Sequence, residues 1–221
     1  MPAVPSPPAR TAVRGVFLAF EGGEGAGKST QVRHLLSWLS GQGRAARGTR
    51  EPGATAIGGT IRQLVLDPGN TALSSRAEAL LYAADRAQHV HELLDPALAA
   101  GEVVVTDRYV DSSLAYQGAG RTIPLEEVLA LSRWATGGLV PDLTVLLDLP
   151  PEVGLARARG RSTADRLEAE SLAFHERVRA TFLDLAAAEP RRYLVLDAQQ
   201  TPDELSAAVR DRVGQLLVDR P

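Results

Sequence analysis

The ten residues EGGEGAGKST, 21 to 30, restrict what this chain can fold into more than any other stretch. From Gly22 to Gly27, Lys28 and Ser29 the spacing is G-x-x-x-x-G-K-[ST], a loop that wraps phosphate. The residue types follow from the task. Glycines let successive backbone N–H groups converge on phosphate oxygens, the lysine reaches the terminal phosphates, and the hydroxyl ligates Mg²⁺. Such a loop belongs between a strand and a helix. GVFLAFE before it is a short apolar run with β character, and STQVRHLLSWL after it has helical spacing. Lys28 is also the single lysine, against twenty-three arginines. A compact ammonium on a flexible stem suits a phosphate cradle where a planar guanidinium does not.

Further along, short apolar segments alternate with helical patterns. GVFLAFE, EVVVTD, LTVLLDL and RYLVLD read as buried strands, RAARGT more weakly; helices are expected at about 28–40, 57–66, 74–100, 124–136, 151–159, 171–189 and 202–218. Alternation of this kind predicts a three-layer α/β/α fold with a central five-stranded parallel sheet. Ligands then bind beyond the carboxyl ends of the strands. At 221 residues the chain fits one domain over 14–221, preceded by a proline-rich extension over 1–13 that reads as disordered. A net charge of −3 gives no basic footprint for nucleic acid. No apolar run approaches the roughly 18 residues of a membrane span. With no cysteine, disulfides and thiolate metal sites are excluded, and a cytoplasmic setting is expected.

Three other stretches carry candidate chemistry. TDRYVDSSLAYQG leaves a strand with Asp107 and Arg108 at its tip: Asp107 can organise Mg²⁺ through water and Arg108 can hold phosphate bidentately, unless the two form only a structural ion pair. Tyr82 and Arg86 are i and i+4 on one helical face, fit either to stack on and hydrogen-bond a base or to be a core tyrosine beside a surface arginine. Arg157, Arg159, Arg161 and Arg166 form either a solvated charged helix or, given Gly160, Ser162 and Thr163 between them, a loop that closes over phosphates.

FEGGEGAGKST, REPG, LLYAADRA, TDRYVDSSLAYQG, PDLTVLLDL and ADRLEAES occur in the order of the thymidylate kinase family, which the chain resembles over about 15 to 200. The resemblance implies ATP-dependent phosphorylation of dTMP to dTDP with Mg²⁺, in a homodimer. It implies that Gly22, Gly23, Glu24, Gly25, Ala26, Gly27, Lys28, Ser29 and Thr30 hold ATP, with Ser29 and Asp107 at the metal. Glu24 matches a carboxylate that approaches the sugar hydroxyl of the monophosphate. Arg108 and Arg62 match the acceptor-phosphate clamp, Tyr82 and Arg86 the thymine stack and hydrogen bond, and Tyr116 the test for the missing 2′-hydroxyl. Pro52, Ser113 and Gln117 match positions lining the same pocket.

One departure bears on mechanism. Some members place an arginine directly after the loop carboxylate, whereas Gly25 follows Glu24 here, so the catalytic cation is expected from the lid at about 156–168, with Arg159 flanked by Arg157 and Arg161. No general base is expected, because a phosphate monoester with second pKa near 6 is mostly dianionic at neutral pH. Another nucleoside monophosphate kinase would keep the loop and lid but change the base pocket. A GTPase-like switch would carry N-K-x-D, which the sequence lacks.

Overall fold

The computed structural model describes residues 14–159 and 165–218. The expected extension over 1–13, residues 160–164 of the expected lid with Arg161, and the side chain of Arg159 lie outside the described residues.

Five strands, β1 (Phe17–Glu21), β2 (Ala46–Arg50), β3 (Val103–Asp107), β4 (Leu143–Asp148) and β5 (Tyr193–Asp197), form one sheet in the order β2-β3-β1-β4-β5. Every pairing is parallel, with Phe20 opposite Asp107 on one side of β1 and Val145 on the other. The chain leaves β1 toward β2 and β3, then crosses over it to β4. The carboxyl end of β1 is therefore the topological switch point at which a doubly wound sheet opens a crevice.

Side chains of β1 alternate between two cores. Leu18 and Phe20 pack with Val145 and Leu147 against α1 (Lys28–Gly41) and α9 (Pro202–Val218). Phe17 and Ala19 face the other layer, with Val90, Leu94 and Leu98. That layer also holds α2 (Ala56–Leu66), α3 (Ser75–His89), α4 (Asp95–Ala99) and α8 (Leu172–Ala188). Helices α6 (Leu125–Thr136) and α7 (Pro151–Arg159) complete the connections into and out of β4. The expected three layers are present.

Two elements differ from the sequence expectation. The single helix expected over 74–100 is α3, a π-helical turn at Val90–Leu94, and α4. Pro96 opens α4; it has no N–H to give and would crowd the carbonyl four residues back in a regular helix, which the wider turn before it relieves. The second difference is a helical segment not expected at all, α5 (Val110–Ser113) running into a π-helical stretch, Leu114–Gly120.

Candidate active site

A cavity of about 290 Å³ lies over the carboxyl ends of β1, β2 and β3, lined by the glycine loop, the 50–52 turn, α3, the 107–117 segment and residues 165–168. The loop is shaped by close approaches. Gly22 has φ +134°, and a Cβ there would lie 2.4 Å from the Leu147 carbonyl oxygen of β4. Gly25 has φ +67°, and its Cβ would lie 2.2 Å from the Gly154 carbonyl oxygen of α7. Neither position admits a side chain.

Two cations meet at one peptide. Lys28 Nζ donates to the carbonyls of Gly22 at 3.0 Å and Gly23 at 2.8 Å, while Arg108 Nη1 donates to the same Gly22 carbonyl at 3.1 Å. Burial, helped by Arg108, pulls the Lys28 ammonium below its ordinary pKa. Arg108 also reaches Glu24 Oε1 through Nη2 at 2.6 Å, and Tyr116 donates its hydroxyl to that oxygen at 2.8 Å. Burial works to raise the pKa of Glu24, but Arg108, Lys28 and the Tyr116 hydroxyl outweigh it and hold the carboxyl at about 2. Burial likewise opposes the charge on Arg108, yet Glu24 carries its pKa well above the ordinary value.

Arg108 sits at φ +71°, left-handed backbone that a side chain of this size rarely adopts. Glu21, fully buried at the end of β1, holds the segment after Arg108. Its Oε1 accepts from the backbone N–H groups of Tyr109 at 2.8 Å and Ser112 at 3.2 Å, and its Oε2 accepts from Ser112 Oγ at 2.6 Å. Ser112 Oγ in turn accepts from Arg108 Nη1 at 3.1 Å. Strained backbone of this kind persists where surrounding contacts over-determine it, and it concentrates at functional sites.

Ser29 Oγ donates to Asp107 Oδ2 at 2.6 Å, so a hydroxyl and a carboxylate oxygen stand together beside the loop. Two hard oxygen donors suit Mg²⁺, which keeps several waters and completes its shell with substrate phosphate. Among the described residues no group of three or more His, Cys, Asp or Glu side chains converges.

At the far end, α3 lines up Glu78, Tyr82, Arg86 and His89 on its buried side. Arg86 donates from Nε to Glu51 Oε2 at 2.7 Å and from Nη2 to the Tyr109 carbonyl at 3.1 Å, and its guanidinium lies 5.6 Å from the Tyr109 ring centre. Its Nη1 is buried without a partner in a residue that lines the cavity. His89 Nδ1 stands 2.8 Å from Glu51 Oε1, so Glu51 holds both side chains. Tyr82, Ser113 and Gln117 line the same end, and Arg62 lines the cavity while donating from Nη1 to the Pro52 carbonyl at 3.0 Å.

Of the expected site residues, 24–30 of the loop, Pro52, Arg62, Tyr82, Arg86, Asp107, Arg108, Ser113, Tyr116 and Gln117 line one cavity, whereas Gly22 and Gly23 do not line it and instead hold Lys28 through their carbonyls. Arg157 does not line the cavity: its Nη1 donates to the Ala198 carbonyl beyond β5 at 3.0 Å. Arg166 is likewise tied down, to the Val65 carbonyl and Glu78. Glu21, Glu51, Glu78 and Ser112 were not foreseen. Glu51 lies in the REPG motif, but nothing local marks that acid as the partner of an arginine 35 positions on.

The thymidylate kinase family model matches residues 20–209, nearly the whole described fold. The chain belongs to the thymidylate kinase family. It is 58% identical over 203 residues to a thymidylate kinase of Cutibacterium acnes, covering 92% of this chain and 98% of that protein. It is 54% identical over 202 residues to one of Deinococcus radiodurans and 52% identical over 205 residues to one of Bifidobacterium longum. Each alignment covers 91% of this chain and 98% of the relative, so the family likeness extends over loop, acceptor pocket and sheet alike.

Proposed function

We propose that this chain transfers the γ-phosphoryl group of ATP to dTMP, giving ADP and dTDP, by positioning two anions and neutralising their charge. The observation that carries the reading is the shared Gly22 carbonyl: Lys28 and Arg108 reach it at 3.0 and 3.1 Å. A phosphate held by the loop and Lys28 and a second held by Arg108 are then neighbours. A phosphate oxygen of dTMP attacks the γ-phosphorus, and the bond from that phosphorus to the bridging oxygen of ADP breaks. The nucleophile is already an anion, so no side chain has to remove a proton.

Ser29 and Asp107 would hold Mg²⁺, which when bound neutralises charge on the phosphate oxygens. Arg62 supports Arg108 at the acceptor phosphate. Tyr82 offers a ring face to the base and Arg86 an unpartnered N–H, while Tyr116 and Glu24 flank the sugar. Since Gly25 admits no side chain, the cation that meets the transferring phosphoryl comes from the lid at about 156–168, and Arg159 supplies it. Arg157, turned to Ala198, would have to leave that contact to help.

Assembly as a homodimer is part of this reading. Ile57 and Leu64 on α2, Leu80 on α3 and Trp134 on α6 are exposed apolar side chains on helices that pack side by side, and a second copy would cover them. Among the described residues no helix is long and apolar enough to cross a membrane. We place the enzyme in the cytoplasm, a setting consistent with its lack of cysteine.

ADP formation measured against a panel of nucleoside monophosphates tests the assignment. dTMP is expected to be preferred by orders of magnitude; equal use of dTMP and dCMP would overturn the reading of the pocket.

A further inference from the structure

Glu78 lies in the first turn of α3, is fully buried, and has no place in the phosphoryl transfer itself. It is held by Arg121, whose Nε donates to both carboxylate oxygens at 3.3 and 3.2 Å, and by Arg166. A carboxylate gripped by two guanidinium groups accepts hydrogen bonds and donates none. Its remaining partner belongs to the acceptor pocket: Gln117 Nε2 donates to Glu78 Oε1 at 2.8 Å. Gln117 is itself almost fully buried and lines the cavity.

A side-chain amide has two faces of opposite polarity, and which one looks into a pocket is decided by what holds the other. Because Glu78 takes the NH₂ group, the carbonyl oxygen of Gln117 is the end left for the cavity. Turning the amide over would set that oxygen against the carboxylate and strand a buried donor, at a cost comparable to a lost charged hydrogen bond. The Gln117 carbonyl is therefore left as an acceptor for a base, in a cavity also lined by Arg86, whose Nη1 has no hydrogen-bond partner. Thymine and uracil present a ring N3–H donor beside a C4 carbonyl acceptor. Cytosine presents the reverse, an N3 acceptor beside a C4 amine donor.

We propose that Glu78 is a specificity-determining positioning residue, which fixes the Gln117 amide so that the pocket accepts an imide edge and rejects cytosine. The proposal rests on the reading of dTMP as acceptor and adds the residue that enforces it. Glu78 touches neither substrate; it acts through Gln117.

The test is Glu78→Gln, assayed for kcat/KM with dTMP, dUMP and dCMP. A glutamine at 78 can donate to the Gln117 carbonyl, so the flipped amide becomes admissible and its NH₂ can meet cytosine N3. The dTMP/dCMP ratio is expected to fall by about tenfold or more, because polar discrimination depends on leaving the wrong edge unpaired. The dTMP/dUMP ratio should stay within about threefold, since both bases share the imide edge and differ by one methyl. General loosening of the pocket would move both ratios together. Glu78→Asp, which keeps the charge between Arg121 and Arg166 but withdraws it from the amide, should shift the dTMP/dCMP ratio in the same direction and guards against misfolding of the first variant. Arg121→Leu, which removes a different donor from the same carboxylate, should lower the melting temperature while keeping the ratio. Equal use of dTMP and dCMP by the unmodified protein would overturn the dTMP reading itself. Wild-type discrimination that survives in either folded Glu78 variant would overturn only the role of Glu78.

Discussion

Gly154, in the first half of α7, faces the phosphate loop at backbone distance: a Cβ added there would lie 2.3 Å from the Glu24 carbonyl oxygen and 3.4 Å from Leu149 Cδ2. Ordinary contact begins at 3.4 Å, so Gly154→Ala asks for a separation of about 1 Å between helix and loop. Two energies oppose each other. Alanine in place of glycine inside a helix favours folding by about 0.8 to 1 kcal/mol. Overpacking costs about 1 to 3 kcal/mol, because the obstacle is backbone and cannot rotate aside. The net loss is about 0 to 2 kcal/mol, or at most about 8 °C in Tm for a domain of this size.

Activity should suffer out of proportion. The displaced carbonyl is part of the loop that aligns ATP, and α7 leads into the proposed catalytic arginine. A misplacement of about 1 Å can cost roughly a hundredfold in rate. We expect kcat to fall by about 10- to 100-fold with a cooperative melt retained, read from coupled ADP release beside thermal unfolding followed by circular dichroism. A variant with kcat within threefold of wild type and a raised Tm would refute the reasoning, since the helix would then have gained its propensity without disturbing the loop.

The site sets four other expected outcomes. Lys28→Met should abolish turnover with the fold intact, and activity within tenfold of wild type would remove Lys28 from the phosphate cradle. Arg159→Ala should lower kcat by at least about 10²-fold while the KM for dTMP changes only a few-fold, as expected of a cation that acts on the transition state; triple replacement of Arg157, Arg159 and Arg161 by alanine with kcat nearly unchanged would send the search for that cation elsewhere. Glu21 is pushed up to about 8, chiefly by burial and then by Asp111, so between about pH 4.5 and 8 the folded chain keeps a proton that the unfolded chain has lost, and this group's contribution to stability declines as pH rises through that window. Urea unfolding of wild type and Glu21→Gln at pH 5 and pH 8 should therefore show the variant gaining relative to wild type at the higher pH, and a pH-independent difference would mean the native carboxyl is ionised throughout. Light scattering at micromolar concentration should report a homodimer, and a 23.5 kDa particle would count against it.

The parts of the fold that showed in the sequence are those whose hydropathy matches their burial. Strands β1, β3 and β4 are buried on both faces and read as largely apolar runs ending in an acid. Strand β2, ARGTR, is an edge strand with exposed positions, and its signal was correspondingly faint. The unforeseen helical segment over 110–120 fails for the opposite reason. It buries Asp111, Ser112, Ser113 and Gln117 together with Leu114, Ala115 and Tyr116, so polar and apolar residues share its buried positions and no apolar period marks it. Its buried polar groups are satisfied largely by distant acids. Those acids are invisible locally: Glu21 meets Tyr109 across 88 positions, and Glu78 meets Gln117 across 39.

Gly25 carries two different readings, one from the sequence and one from the structure. In the sequence it registers as an arginine that is not there, and the missing charge is moved to the lid by comparison with the family. In the structure the glycine has its own reason, a left-handed φ of +67° and a Cβ position 2.2 Å from the Gly154 carbonyl. Gly154 is pinned from the other side by the Glu24 carbonyl, so loop and helix fit only because both lack a side chain. An arginine restored at 25 would therefore not simply add a cation. It would force α7 off the loop, and with it the segment from which the working arginine is proposed to come. Gly25→Arg is accordingly expected to lower kcat further than Arg159→Ala, with no recovery from the new guanidinium; a Gly25→Arg, Arg159→Ala double variant more active than Arg159→Ala alone would show that the loop can carry the charge after all, and that the two-glycine contact does not decide where it sits.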